Sequence, residues 1–215
     1  MVNEYKTVRC FGTGELKIRK SRFIAYVQPA DTEKEALEFI ENIKQKHRDA
    51  THNVFAYLIG LDREIQKFSD DGEPNGTAGK PILEVIKKES LKNVVVVVTR
   101  YFGGILLGAG GLVRAYTKGA KVGIENAQIV NKVLHYNYKL KTSYSLLGKI
   151  QNHIINMSQI IYEVSYGQDV SLGVYVKYNK KDFFEKVVME VTSGQVNISN
   201  IGESYISFQQ GKAIL

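Results

Sequence analysis

Val94-Val95-Val96-Val97-Val98-Thr99-Arg100-Tyr101-Phe102-Gly103-Gly104, continued by Ile105-Leu106-Leu107-Gly108-Ala109-Gly110-Gly111-Leu112-Val113-Arg114, turns from strand to helix within a few residues. Five consecutive valines read as a strand buried on both faces. Five glycines from 103 to 111 mark backbone that turns with positive φ or approaches something closely. A buried strand that ends in glycines and opens a helix presents free N–H groups at one edge of a domain, a ready place for an anion. No carboxylate lies between Glu89 and Glu125, whereas Lys92, Arg100, Arg114, Lys118 and Lys121 do. On a helix, Arg114, Lys118 and Lys121 form one stripe.

Strand character covers 5–11 and 14–28, with a turn expected at Gly12-Thr13-Gly14. Asp31 or Thr32 reads as the N-cap of a helix with acidic residues early and Lys44, Lys46, His47 and Arg48 at its end. Asn53 to Gly60 reads as a strand, Asp70 to Pro81 as a loop dense in turn residues, and Pro81 to Lys88 as a helix. The central strand spans Leu91 to Tyr101, and helical spacing follows to Asn126. Beyond about residue 130 the order is strand, helix, strand, strand, helix, strand, the split βαβ signature of a ferredoxin-like domain. The expected class is α+β with two domains, 1–130 and 131–215. No Pro/Gly-rich linker separates them, which predicts a rigid junction.

Composition narrows the chemistry. The chain has 215 residues, 44% hydrophobic, and a net charge of +7, enough for a packed core with a basic surface. The basic excess is spread: 20 cationic against 16 anionic side chains in the first 130 residues, 9 against 6 in the rest. A single cysteine, Cys10, excludes an intrachain disulfide framework and a multi-cysteine zinc site. The polar, charged start does not resemble a secretory signal, and the longest apolar run is too short to span a bilayer, so the expected location is cytoplasmic, without membrane association.

Two nucleotide motifs fail on named residues. A P-loop around Gly79-Lys80 needs glycine where Pro74 stands and Ser or Thr where Pro81 stands; a dinucleotide fingerprint from Gly108 needs glycine where Val113 stands. The glycines at 103, 104, 108 and 110 therefore serve either an anion or tight packing. Asp70, Asp71 and Glu73 are the carboxylates of a turn-forming loop in preference to a metal site, and neither a metal nor a cofactor is expected. Lys17, Arg19, Lys20 and Arg22 place four cations in six residues; read as a strand, 17 and 19 share one face and 20 and 22 the other, which marks an edge or an extended hairpin. Joined with Lys80, Arg100, Arg114, Lys118 and Lys121, this run would give a basic patch for phosphates. Only one of Tyr101 and Phe102 can then face a base for stacking.

These residues resemble the YigZ/IMPACT family. The resemblance rests on three segments. They are Thr51-His52-Asn53 through Tyr57; Asp70-Asp71-Gly72-Glu73-Pro74 with Gly76-Thr77-Ala78-Gly79-Lys80-Pro81; and Val97-Val98-Thr99-Arg100-Tyr101-Phe102-Gly103-Gly104 with Gly108. It covers roughly 18–127, and the tail resembles the small C-terminal domain of bacterial members. It implies an N-terminal α/β sandwich like the second domain of a small-subunit ribosomal protein and domain IV of EF-G, and a tail like EF-G domain V. It also implies a link to translation: the eukaryotic relatives regulate initiation through a protein partner, using an extra N-terminal domain that this sequence lacks. The leading expectation is a non-enzymatic RNA- or ribosome-binding factor. The alternatives are a binder or enzyme for a small phosphorylated ligand held by the turn at 103–111, and a protein-interaction module using the acidic loop. Oligomeric state is left open.

Overall fold

The valine run has to be covered on both sides, and the fold does this with helices on each face of one sheet. A computed structural model describes residues 2–214. The chain divides into two units, one built on residues up to Asn131 with Gln209–Lys212, the other on Lys132–Phe208 with Ala213 onward.

The first unit runs β1 (Glu4–Val8), β2 (Gly12–Ile18), β3 (Ser21–Pro29), α1 (Glu33–Lys46), β4 (His52–Ile59), β5 (Ile65–Ser69), α2 (Gly79–Lys88), β6 (Val94–Tyr101) and α3 (Ala109–Asn126). Its five-stranded sheet has the order β2-β3-β6-β4-β5, with β6 at the centre. All five valines are completely buried. Their side chains alternate: Val94, Val96 and Val98 join Phe23, Ala25, Val54, Ile82, Ile86, Leu112 and Tyr116 in a core under α2 and α3. Val95 and Val97 join Ile24, Tyr26, Ala36, Phe39, Ile40 and Tyr57 in a second core under α1. Thr32 caps α1, its Oγ1 accepting from Glu35 N at 3.2 Å.

The expected turn at Gly12–Gly14 is a correction. These residues lie inside β2, in register with Val27, Tyr26 and Ala25. The glycines are there because α3 crosses closely: a Cβ on Gly12 would lie 2.3 Å from Ala127 N, and one on Gly14 would lie 2.5 Å from Val122 Cγ1. The actual turn is Arg19-Lys20, both with positive φ (44° and 68°), the two-residue geometry that matches hairpin twist. Arg19 and Lys20 therefore do not alternate across a strand, while Lys17 pairs directly with Arg22.

The second unit runs β7 (Ile129–Thr142), α4 (Tyr144–Asn156), β8 (Ile160–Tyr166), β9 (Val170–Lys177), α5 (Lys181–Val191), β10 (Asn197–Gln209) and β11 (Lys212–Ile214). The order β10-β7-β9-β8 is the ferredoxin-like arrangement expected for this pattern. Tyr138, Leu140, Leu172, Val174 and Val176 of the sheet pack against Ile150, Ile154, Phe184 and Val188 of the helices. The architecture is thus α+β, an α/β sandwich followed by a ferredoxin-like unit.

Candidate functional site

The end of β6 delivers neighbouring side chains to opposite layers. Arg100 pairs across the sheet with Phe23 and His52, on the α2/α3 side; Tyr101 pairs with Arg22, on the α1 side. Arg100 is 5% exposed, and its Nη1 lies 2.6 Å from Glu73 Oε1. Tyr116 of α3 donates its hydroxyl to the same oxygen at 2.7 Å, and His52 Nε2 stands 3.9 Å from Glu73 Oε2. The guanidinium lies close to two aromatic rings, its Cζ 5.4 Å from the centroid of Phe23 and 5.3 Å from that of Phe102. Burial, then the bond to Glu73, pushes the Tyr116 hydroxyl far above the ordinary tyrosine range, so it stays a proton donor. Assigning Arg100 to a phosphate is therefore corrected: its charge is already neutralised inside the sandwich. Tyr116 sits on the apolar stripe of α3, where only its hydroxyl hints at a buried acceptor.

Tyr101 is also committed. With the tautomer that satisfies every contact, the Tyr26 hydroxyl donates to His47 Nε2 (2.6 Å), and His47 Nδ1–H donates to the Tyr101 oxygen (2.9 Å). The Tyr101 hydroxyl in turn donates to Asp49 Oδ1 (3.1 Å). Burial holds the His47 imidazole below its ordinary pKa of 6.5. The ring of Tyr101 is half-buried beside α1 and is not a free stacking surface.

The family-motif residues form one clasp joining the β5–α2 loop to the strand ends. Asp70 accepts from Gly76 N (2.8 Å), Ala78 N (3.1 Å) and Gly79 N (2.8 Å), so it ties the loop to the first turn of α2. Asp71 accepts from Asn53 N at 2.6 Å, and its carbonyl accepts from His52 Nδ1–H at 2.6 Å. Asn53 is buried, accepting from Thr99 Oγ1 and donating to the His47 carbonyl. Thr77 closes back on the Pro74 carbonyl at 2.6 Å. Gly72 and Gly76 take positive φ, Gly79 leaves room for the Ser69 carbonyl, and Pro81 is buried in the first turn of α2. The three carboxylates are thus spent on internal donors. Among the described residues, no group of three or more His, Cys, Asp and Glu side chains is arranged to hold a metal ion.

The glycines divide by role. Gly103 packs against the β2–β3 turn, where a Cβ would lie 2.1 Å from the Lys20 carbonyl, and its N–H donates to Ser21 Oγ at 3.2 Å. Gly104 and Gly108 have positive φ (81° and 71°) with open space around them. Gly108 caps α3 without a side chain, and Gly110 lies in the first turn.

The remaining cations split between faces. Lys20 stands in the hairpin turn, and Arg22, on the α1 side, is bound to Glu15 at 2.8 Å. The single patch expected from Lys20 and Arg22 through Lys121 is therefore divided by the sheet. On the other side, Lys80 and Lys88 of α2 and Arg114, Lys118 and Lys121 of α3 are exposed, and none is ion-paired to a described carboxylate. Lys80, Lys88 and Lys121 line a groove of about 390 Å³ between the two helices, together with Thr117 and Glu84.

Comparison with known proteins defines the class. The model for the Impact N-terminal domain matches residues 19–124, and that for a domain of unknown function (DUF1949) matches residues 140–195. The chain is 43% identical over 206 residues to IMPACT family member YvyE of Bacillus subtilis, covering 96% of this chain and 95% of that one. It is 34% identical to an IMPACT family member of Haemophilus influenzae over 93% of this chain and 99% of that one. A crystal structure of a hypothetical protein aligns with a TM-score of 0.60 at 32% identity, over 94% of this chain and 98% of that one. The chain belongs to the IMPACT family. No helix among the described residues is long and apolar enough to cross a membrane.

Proposed function

We propose that this protein is a non-enzymatic RNA- or ribosome-binding factor linked to regulation of translation, acting in the cytoplasm. The observation that carries the reading is the α2/α3 face: five exposed cations without an acidic partner, three of them around one groove. Unpaired surface lysines hold condensed phosphate charge by releasing counterions, which suits a polyanion better than a single small ligand. The link to translation rests on the family resemblance. Against a phosphorylated small molecule at 103–111 stands the engagement of Gly103 by Ser21; against docking by the acidic loop stands the internal use of its carboxylates.

The test is RNA and ribosome binding across a salt series. Lys80, Lys118 and Lys121 replaced together by alanine should weaken binding and reduce the dependence of log K on log salt by roughly 2–3, in step with the lost phosphate contacts. Arg22→Ala, on the opposite side of the sheet, should leave binding unchanged. An unaltered triple variant would sink the assignment.

A further inference from the structure

A cavity of about 350 Å³ opens on the α2/α3 side, between the end of β6 and the start of α3. It is near the small end of the range for ligand pockets. Its walls are largely apolar, with Phe102, Leu106, Leu107 and Leu112 among them. Thr51, His52 and Glu73 also line it, and two further polar features border the same space. Gly108 and Ala109 bring the α3 N-terminus to it, with no acidic residue in the first turn and no side-chain cap on its free N–H groups. Arg100 also lines it, and although Nη1 serves Glu73, the buried Nε–H has no partner. A buried donor without an acceptor is costly and calls for a group to answer it.

We propose that this cavity binds a small carboxylate with an apolar body, its charge held by Arg100 Nε and the α3 N-terminus. The site has surplus donors but little net charge, because Glu73 neutralises the guanidinium. A single negative charge on an apolar frame matches that balance, whereas a doubly charged phosphate would meet the Glu73 carboxylate and apolar walls. The rim is built for an apolar body. Leu106 is 81% exposed, and it rides on a loop bounded by Gly104 and Gly108, both at positive φ. Phe102, 44% exposed, lies over the guanidinium, and the Nε is shielded from solvent, so a carboxylate reaches it only once that ring shifts. This goes beyond the RNA reading and does not depend on it, since none of these residues belongs to the lysine groove.

The experiment is an amide NMR titration of the full chain with acetate, 4-methylpentanoate and 3-phenylpropanoate, and with 4-methylpentanamide as the neutral match. The two apolar acids should saturate shifts at His52 and 109–112, and the amide should bind at least about tenfold more weakly. Ala109→Glu places a carboxylate at an exposed helix start, where it favours the fold. That variant should keep its melting temperature and lose the acids. Failure of every acid to saturate, equal binding of acid and amide, or undiminished binding to the Ala109→Glu variant would overturn the proposal.

Discussion

Arg100 and Tyr116 bind the same oxygen atom: the arginine Nη1 lies 2.6 Å, and the tyrosine hydroxyl 2.7 Å, from Glu73 Oε1. The three side chains come from β6, α3 and the β5–α2 loop, so one carboxylate fastens three elements. Removing a single charge leaves the other buried and unpaired. Arg100→Met or Glu73→Met should each cost about 3–5 kcal/mol, while the double variant should cost much less than their sum. Tyr116→Phe should cost about 1–2 kcal/mol. Urea denaturation of the four variants gives the coupling directly; additive losses would mean that the pair does not act as a unit.

Asp70 receives three backbone N–H groups, so Asp70→Ala strands three donors at the entry to α2. A loss of about 2 kcal/mol is expected, at the upper end for a cap residue. Asp70→Asn, which keeps one carbonyl oxygen, should lose less. Thermal denaturation ranks the two, and equal losses would point to charge instead of hydrogen bonding.

Gly103 and Gly104 are neighbours with different reasons to be glycine. Alanine at 103 would push a methyl into the Lys20 backbone, 2.1 Å away; alanine at 104 meets nothing within 4 Å and suffers only its φ of 81°. Gly103→Ala should cost about 3 kcal/mol or more, and Gly104→Ala about 1 kcal/mol. The comparison is a pair of urea midpoints, and a reversed order would contradict the packing described for the β2–β3 turn.

Stability should fall as pH drops below about 6.5. His47 is held neutral by burial between two tyrosines, and His135, stacked on Phe208, is likewise lowered by burial. The folded state resists protonation while the unfolded chain accepts it near 6.5, so stability is full above that value and lost as pH falls toward the depressed folded pKa values. Each histidine contributes at most about 1.4 kcal/mol per pH unit within that window. Glu15 and Glu33, held below the usual carboxylate range by hydrogen bonds to Arg22 and Lys67, act only at lower pH. Urea midpoints from about pH 7.5 to about pH 5 should decline in the wild type. The decline should be shallower in a His47→Asn/His135→Asn variant.

The layered fold was legible where burial writes itself into composition. Val94 to Val98 could only be a strand covered twice, and the six alternating segments beyond residue 130 announce the ferredoxin-like unit. β5 escaped because Ile65 to Phe68 is an exposed edge strand, with no buried face to imprint a period. Gly12 and Gly14 misled because glycine signals a turn and a close helix contact with the same letter, while Arg19-Lys20 turns without turn residues. The partner of Arg100 was hidden because no acid lies near it in sequence; Glu73, 27 residues upstream, reaches it only through the fold. The lysines of α2 and α3 were visible singly, but their shared groove depends on helix pairing that no local pattern encodes.

The adjacency of Arg100 and Tyr101 has a mechanical consequence. One residue grips the layer of α2 and α3, the next grips the layer of α1 through His47 and Asp49, and a single peptide links the two grips. Fraying of this strand end would slacken both faces of the sandwich together. In a native-state hydrogen-exchange measurement the amides of 98–101 should therefore be among the last of the unit to exchange, opening only with the unit as a whole.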